Sequence, residues 1–192
     1  GFAPAANVVF FRFDGSQANT YTGETTVGTN VSLALDKSPN VSALAGDVTV
    51  QQEAVLVLVS NGQIADNSAV SLEGNGQVQV GVGTDVNETI GALLDDGSGL
   101  AEVELSDNTT GSSLTVTEGD FSGTISGGVV GETSLTAANS GSLNLSGANS
   151  YVGDTVVSGG VLLTNNSTGS ATGSGDVLVQ SSATLGGGGT IT

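Results

Sequence analysis

Asp95 and Asp96 form the one adjacent pair of carboxylates in the chain. Two acids held at a set separation can run inverting glycoside hydrolysis, one protonating the leaving oxygen while the other activates water. The pair opens the run Asp-Asp-Gly-Ser, which reads more simply as a turn carrying solvated acids. Holding an acidic substrate would also need cations. The chain has one arginine, Arg12, one lysine, Lys37, and no histidine. The lack of His and Cys excludes Ser-His and Cys-His catalysis, thiol redox chemistry and the common zinc, copper and haem sites. The expectation is a protein that is not an enzyme and carries no cofactor.

Calcium is the one metal left open, because it takes about six to eight oxygen ligands and no nitrogen or sulfur. Asp47, Asp107, Asp120, Asp154 and Asp176 stand beside turn residues and would collect in columns if turns stack. The Gly-Gly-x-Gly-x-Asp nonapeptide of calcium-binding coils is absent, and Gly173-Ser-Gly-Asp176 is only a fragment of it. The acids serve solubility equally well, so the metal site stays unknown. Asn30, Asn40, Asn87, Asn108, Asn144, Asn165 and Asn166 head Asn-x-Ser/Thr sequons and are glycosylation candidates, or else corner residues and asparagine ladders. The run Gly186-Gly-Gly-Gly189 has no following lysine and no helix to open, so it reads as a tight corner and not as a phosphate loop.

A net charge of −17 with two cations cannot neutralise a row of phosphates, which excludes nucleic acid as a partner and argues against docking on anionic membranes. No apolar run approaches the ~18–20 residues of a membrane helix, so no membrane insertion is expected.

These side chains need a scaffold, and the scaffold is legible as strands. Val48-Thr49-Val50, Val55-Leu56-Val57-Leu58-Val59, Val78-Gln79-Val80-Gly81-Val82, Leu143-Asn144-Leu145 and Val177-Leu178-Val179 alternate, with every second side chain on one face. Ser60-Asn61-Gly62 and Gly74-Asn75-Gly76 separate them with turn chemistry. No helical period outlasts two turns, so the class is all-β, either a sandwich or a coil of stacked rungs. An internal repeat favours the coil. Asn19-Thr-Tyr-Thr-Gly-Glu-Thr-Thr-Val27 recurs as Asn149-Ser-Tyr-Val-Gly-Asp-Thr-Val-Val157, an offset of 130, and Asp47-Val-Thr-Val-Gln51 recurs as Asp176-Val-Leu-Val-Gln180. At ~20–30 residues per rung the length allows about seven or eight coils.

Residues 1–13 differ, holding four of the five phenylalanines and the only arginine. Phe2, Val8, Val9, Phe10, Phe11 and Phe13 form an apolar strand that either caps the first rung or docks on another subunit. At the other end, Thr190 and Ile191 stop in mid-pattern. These eight residues are the candidates for self-assembly.

Residues 141–163, Gly-Ser-Leu-Asn-Leu-Ser-Gly-Ala-Asn-Ser-Tyr-Val-Gly-Asp-Thr-Val-Val-Ser-Gly-Gly-Val-Leu-Leu, resemble the passenger-associated β-strand repeat of autotransporters, or PATR. Phe121-Ser-Gly-Thr-Ile-Ser-Gly127 looks like the rung that commonly precedes such a unit, and Ala183-Thr-Leu-Gly-Gly-Gly-Gly-Thr-Ile191 like its usual continuation. The likeness covers about 120–191, and 19–56 in part. It implies a right-handed parallel β-helix, a β-solenoid, at a bacterial cell surface or in the extracellular space. The expected organisation is an N-terminal apolar strand or plug over 1–18 and a solenoid over 19–192. The expected function is a structural subunit of an extracellular filament, stacking head to tail on copies of itself. The alternative is an adhesin or glycan-binding passenger fragment.

Overall fold

The computed structural model describes residues 8–106, 108–138 and 141–192. Strands paired with one another in it are parallel throughout, and they stack as a β-solenoid of about eight turns with three faces. Parallel pairing of short strands one turn apart rules out the sandwich, whose sheets are antiparallel.

The first face carries β2 (Thr25–Val27), β4 (Val48–Val50), β6 (Ala69–Leu72), the second halves of β8 (Asn87–Asp95) and β10 (Ser113–Phe121), then β13 (Ser142–Leu145), β15 (Val161–Thr164) and β17 (Thr184–Gly186). The second carries β1 (Val9–Gly15), β3 (Val31–Lys37), β5 (Val55–Leu58), β7 (Gln77–Val80), β9 (Glu102–Leu105) and β11 (Thr124–Gly127). The third carries the first halves of β8 and β10, then β12 (Thr133–Ala137), β14 (Asp154–Val157) and β16 (Val177–Val179). The nine-residue strands β8 and β10 bend round a corner and join the first and third faces into one sheet.

The core is a set of aliphatic columns. Alternation sends every second residue inward, and register places like on like. Leu33, Leu56, Val78, Val103 and Ile125 stack in one column and Leu35, Leu58, Val80 and Leu105 in the next, all buried. Each such side chain contributes roughly 1.5–3 kcal/mol when fully buried. Corners must turn sharply beneath the next rung. At Gly127, with φ at 84°, an added Cβ would lie 1.9 Å from the Leu105 carbonyl oxygen, so only glycine fits.

The internal repeat does not return to its own face. Thr25 pairs with Val48, Val48 with Val70, and the ladder runs on through Leu93 and Gly119 to Leu143, five turns up. Thr155, the counterpart of Thr25, lies two faces further, in β14. The same sequence therefore folds alike on different faces, because each corner sees only its neighbouring turns.

Candidate functional site

The two ends of the coil gather most of the residues expected to mediate assembly. At the N-terminal end β1 pairs with β3 over seven positions, placing Phe11 against Leu33 and Phe13 against Leu35. Phe11 and Phe13 thus continue the inward columns, yet Phe11 remains 55% exposed. With Val31, Val27 and Thr25 they line an open apolar groove of about 370 Å³. Phe10 points the other way and is 77% exposed; Val8 and Val9 are exposed too. Phe2 lies outside the described residues.

Both cations of the chain hold this strand. Arg12 forms an ion pair with Asp36 on β3. Lys37 is buried, and its Nζ donates to the carbonyls of Asp14 at 3.2 Å and Gln17 at 2.8 Å, fixing the corner after β1.

At the C-terminal end, buried Ala171 donates its N–H to the Thr190 carbonyl at 2.9 Å. Ile191 is 44% exposed, and Leu178 and Val179 of β16, on the third face, are exposed too. The Thr190 N–H donates to Asn166 Oδ1 at 2.9 Å. Among the described residues, β1 pairs only with β3, β16 only with β14 and β17 only with β15, so each keeps one open edge.

The repeated unit shows how such an edge is met inside the coil. Asn149 donates through Nδ2 to the Ala171 carbonyl at 2.6 Å and accepts at Oδ1 from the Ile125 N–H at 2.8 Å. Asn19 makes the first of these bonds, to Ala43 at 2.8 Å. Tyr151 hydroxyl meets Thr155 Oγ1 at 2.6 Å and Tyr21 hydroxyl meets Thr25 Oγ1 at 3.2 Å. Tyr151 is fully buried, which pushes its phenol above the ordinary tyrosine range, whereas Tyr21 is 41% exposed.

The other candidate residues line the corners. Asp96 accepts the Gly74 and Ser98 N–H groups at 2.8 and 2.9 Å, and hydrogen bonding to Ser98 holds its carboxyl below the usual range. Asp95 accepts from the Ser122 hydroxyl and N–H. Asp47 accepts the Ala69 N–H, Asp154 the Asp176 N–H, and Asp120 the Asn144 amide. Asp107 lies outside the described residues. Among the described residues, no three acidic side chains gather as a metal site. Of the sequon asparagines, Asn30 and Asn40 take left-handed corners with φ near 60°. Asn40 and Asn87 are exposed, Asn108 binds Ser106, and Asn165 donates to Asn144 in a ladder. Asn166 is buried, with its Nδ2 donating to the Thr168 and Gly169 carbonyls.

One buried carboxylate escaped the sequence reading. Glu88 accepts the Gln63 and Ile64 N–H groups, both at 2.9 Å, while Gln63 in turn accepts the Lys37 N–H at 2.8 Å. Burial pushes the Glu88 carboxyl up to about 7, against the pull of those donors. The signal was present in Val86-x-Glu88-x-Ile90, where alternation points Glu88 inward between two core residues.

No curated protein and no solved structure matches the chain. A family model does match, the passenger-associated-transport-repeat, over residues 135–164. The matched residues run from within β12 to the end of β15, with Asn149 and Tyr151 near their centre, so the stretch similar to a passenger-associated-transport-repeat is wound into the β-solenoid.

Proposed function

We propose that the protein is a structural unit of an extracellular bacterial fibre or surface layer, its solenoids joined head to tail. The fold and the passenger repeat fit an autotransporter passenger-like surface protein. Among the described residues, the observation that carries the reading is apolar side chains exposed on strands paired along one edge only, Phe11 on β1 and Leu178 and Val179 on β16. Non-closing contacts between unlike ends propagate as a filament, and pairing of strands across the junction supplies directional bonds. No catalysis enters this role. Chains of charge −17 repel, so salt promotes assembly by screening.

Light scattering and negative-stain microscopy across a concentration series test it. The expected result is fibres that lengthen with concentration and salt, and that are lost on deletion of residues 1–13. Monomers persisting at high concentration in moderate salt would overturn it. The second reading, a glycan-binding passenger, draws on an open polar groove along the side, lined by Asp95, Asp96, Asp120, Ser122, Asn144 and Ser146. Retention of a neutral oligosaccharide by the monomer, abolished in Asn144→Ala, would favour it.

A further inference from the structure

We infer that the coil carries a hinge between its second and third turns, latched on the third face by the side chain of Glu88. The hinge lies inside the coil and stands whether or not solenoids join end to end.

The three faces join these two turns unequally. On the first face β4 pairs with β6 from Val48 to Val50, and on the second β5 pairs with β7 from Val55 to Leu58. Both ladders continue into the turn above. The third face has no such ladder at this level. From Asn61 to Asn67, among the described residues, no backbone group of the second turn bonds directly to the backbone of β8. Direct bonding resumes at the Ser68 carbonyl, which accepts the Gly91 N–H at 2.9 Å. Three N–H groups cross the seam through side chains instead. Gln63 and Ile64 donate to the two oxygens of Glu88, both at 2.9 Å, and Asn87 donates to Asn61 Oδ1 at 2.9 Å. The gap is confined to this level. One turn down, Ala43 and Leu44 donate directly to the Gln63 carbonyl, and one turn up, Asn87 to Ile90 pairs with Ser113 to Val116 in regular register.

Two continuous ladders and one carboxylate make a hinge and its latch. When the bonds to Glu88 break, the turns part on the third face while the other two faces hold, and the coil bends there. Water has a route to the seam. An open groove of about 670 Å³, lined in part by Asp66, Asn67, Gly91 and Ala92, lies at its first-face end. Each turn of a solenoid rests only on its neighbours, so a weak interface opens without unfolding the rest.

The groups round the latch set its direction. Above Glu88 stands Leu114, its register partner, and below it the uncharged Gln63. Asp66, on the segment between β5 and β6, is the like charge that acts on it. Asp85, on the corner leading into β8, is bound through Oδ2 to Thr110. Lys37 reaches Gln63 only through its backbone N–H and turns its ammonium away to the Asp14 and Gln17 carbonyls. No cation therefore neutralises Glu88 across the seam. A protonated carboxyl suits this apolar setting, whereas an ionised one is relieved by release to water. The latch is closed in acid and loosens as pH rises. With the closed carboxyl near 7 and a released one near 4.5, the opening constant rises about tenfold per pH unit between about 5 and 7 and then levels off, about 300-fold in all.

Amide hydrogen exchange on the whole protein, followed residue by residue by NMR from about pH 5 to 9 and corrected for intrinsic rates, tests the hinge. Gln63 and Ile64 should lose protection about tenfold per pH unit up to about 7 and hold level beyond it, while the amides of β6, β7 and β13 keep theirs. Glu88→Gln should remove the pH dependence at Gln63 and Ile64. Asp66→Asn, an exposed change that leaves the core alone, should move the levelling-off to lower pH. Loss of protection at β6 and β7 in step with Gln63 would overturn the hinge, because the turns would then part on every face. Protection at Gln63 and Ile64 that follows β13 at all pH values, or a pH dependence that survives Glu88→Gln, would overturn the latch.

Discussion

The coil contains one sequence unit twice, once at its edge and once in its interior. Asn19, Tyr21 and Thr25 repeat as Asn149, Tyr151 and Thr155, and in both copies the asparagine donates to the turn above while the tyrosine bonds the threonine of its own turn. The difference lies below. Tyr151 rests over Gly127, whose carbonyl accepts the Val152 N–H at 2.9 Å, and it is sealed from water; Tyr21 is not. Local sequence sets the conformation, and the neighbouring turn sets the energy. A solenoid is stabilised mainly by nearest-neighbour interfaces, so identical residues differ in weight according to how many neighbours they have.

The sharpest break of this comparison is a pair of truncations. Tyr151→Ala should cost about 3–5 kcal/mol in urea unfolding, as for other large buried rings, and Tyr21→Ala less than about 1 kcal/mol in the unassembled protein. Equal costs would mean that the two copies are not in the different settings described. The asparagines come next. Asn149→Ala strands the Ile125 N–H and the Ala171 carbonyl in the core and should cost about 2–4 kcal/mol, against about 1 kcal/mol for Asn19→Ala.

The interior also has a titrating group that sharpens the contrast. With its carboxyl raised to about 7 from an unfolded value near 4.5, folded Glu88 holds its proton more tightly than the unfolded chain does. Its contribution is complete below about pH 4.5, falls as pH rises, and levels off above about pH 7, a loss of about 3 kcal/mol. Glu88→Gln should flatten that part of the stability profile, read as chemical denaturation at several pH values. The smallest effect belongs to the edge. Arg12→Ala removes a largely solvent-exposed ion pair and should change stability by about 0.5 kcal/mol or less.

Much of this architecture could be read from residues alone. Alternation located the strands, and the ordered recurrence of Asn, Tyr, Gly and Thr at an offset of 130 argued for stacked rungs. What escaped were charges inside the coil. Leu33-x-Leu35-x-Lys37 and Val86-x-Glu88-x-Ile90 carry the inward phase through a charged residue, and a reading that assigns every charge to solvent misses both. The corner acids were ambiguous for a different reason, since a carboxylate that caps a neighbouring turn and one that awaits a cation look alike in one dimension.

The placement of the two cations reaches beyond stability. Trypsin-class proteases cut only after arginine or lysine, and this chain offers them two bonds in 192 residues. Lys37 is sealed under the first corner, and Arg12 lies within a paired strand. Digestion must therefore wait for the end to unwind. Scission after Arg12 times the fraying of a single strand, and scission after Lys37 times the peeling of the first turn.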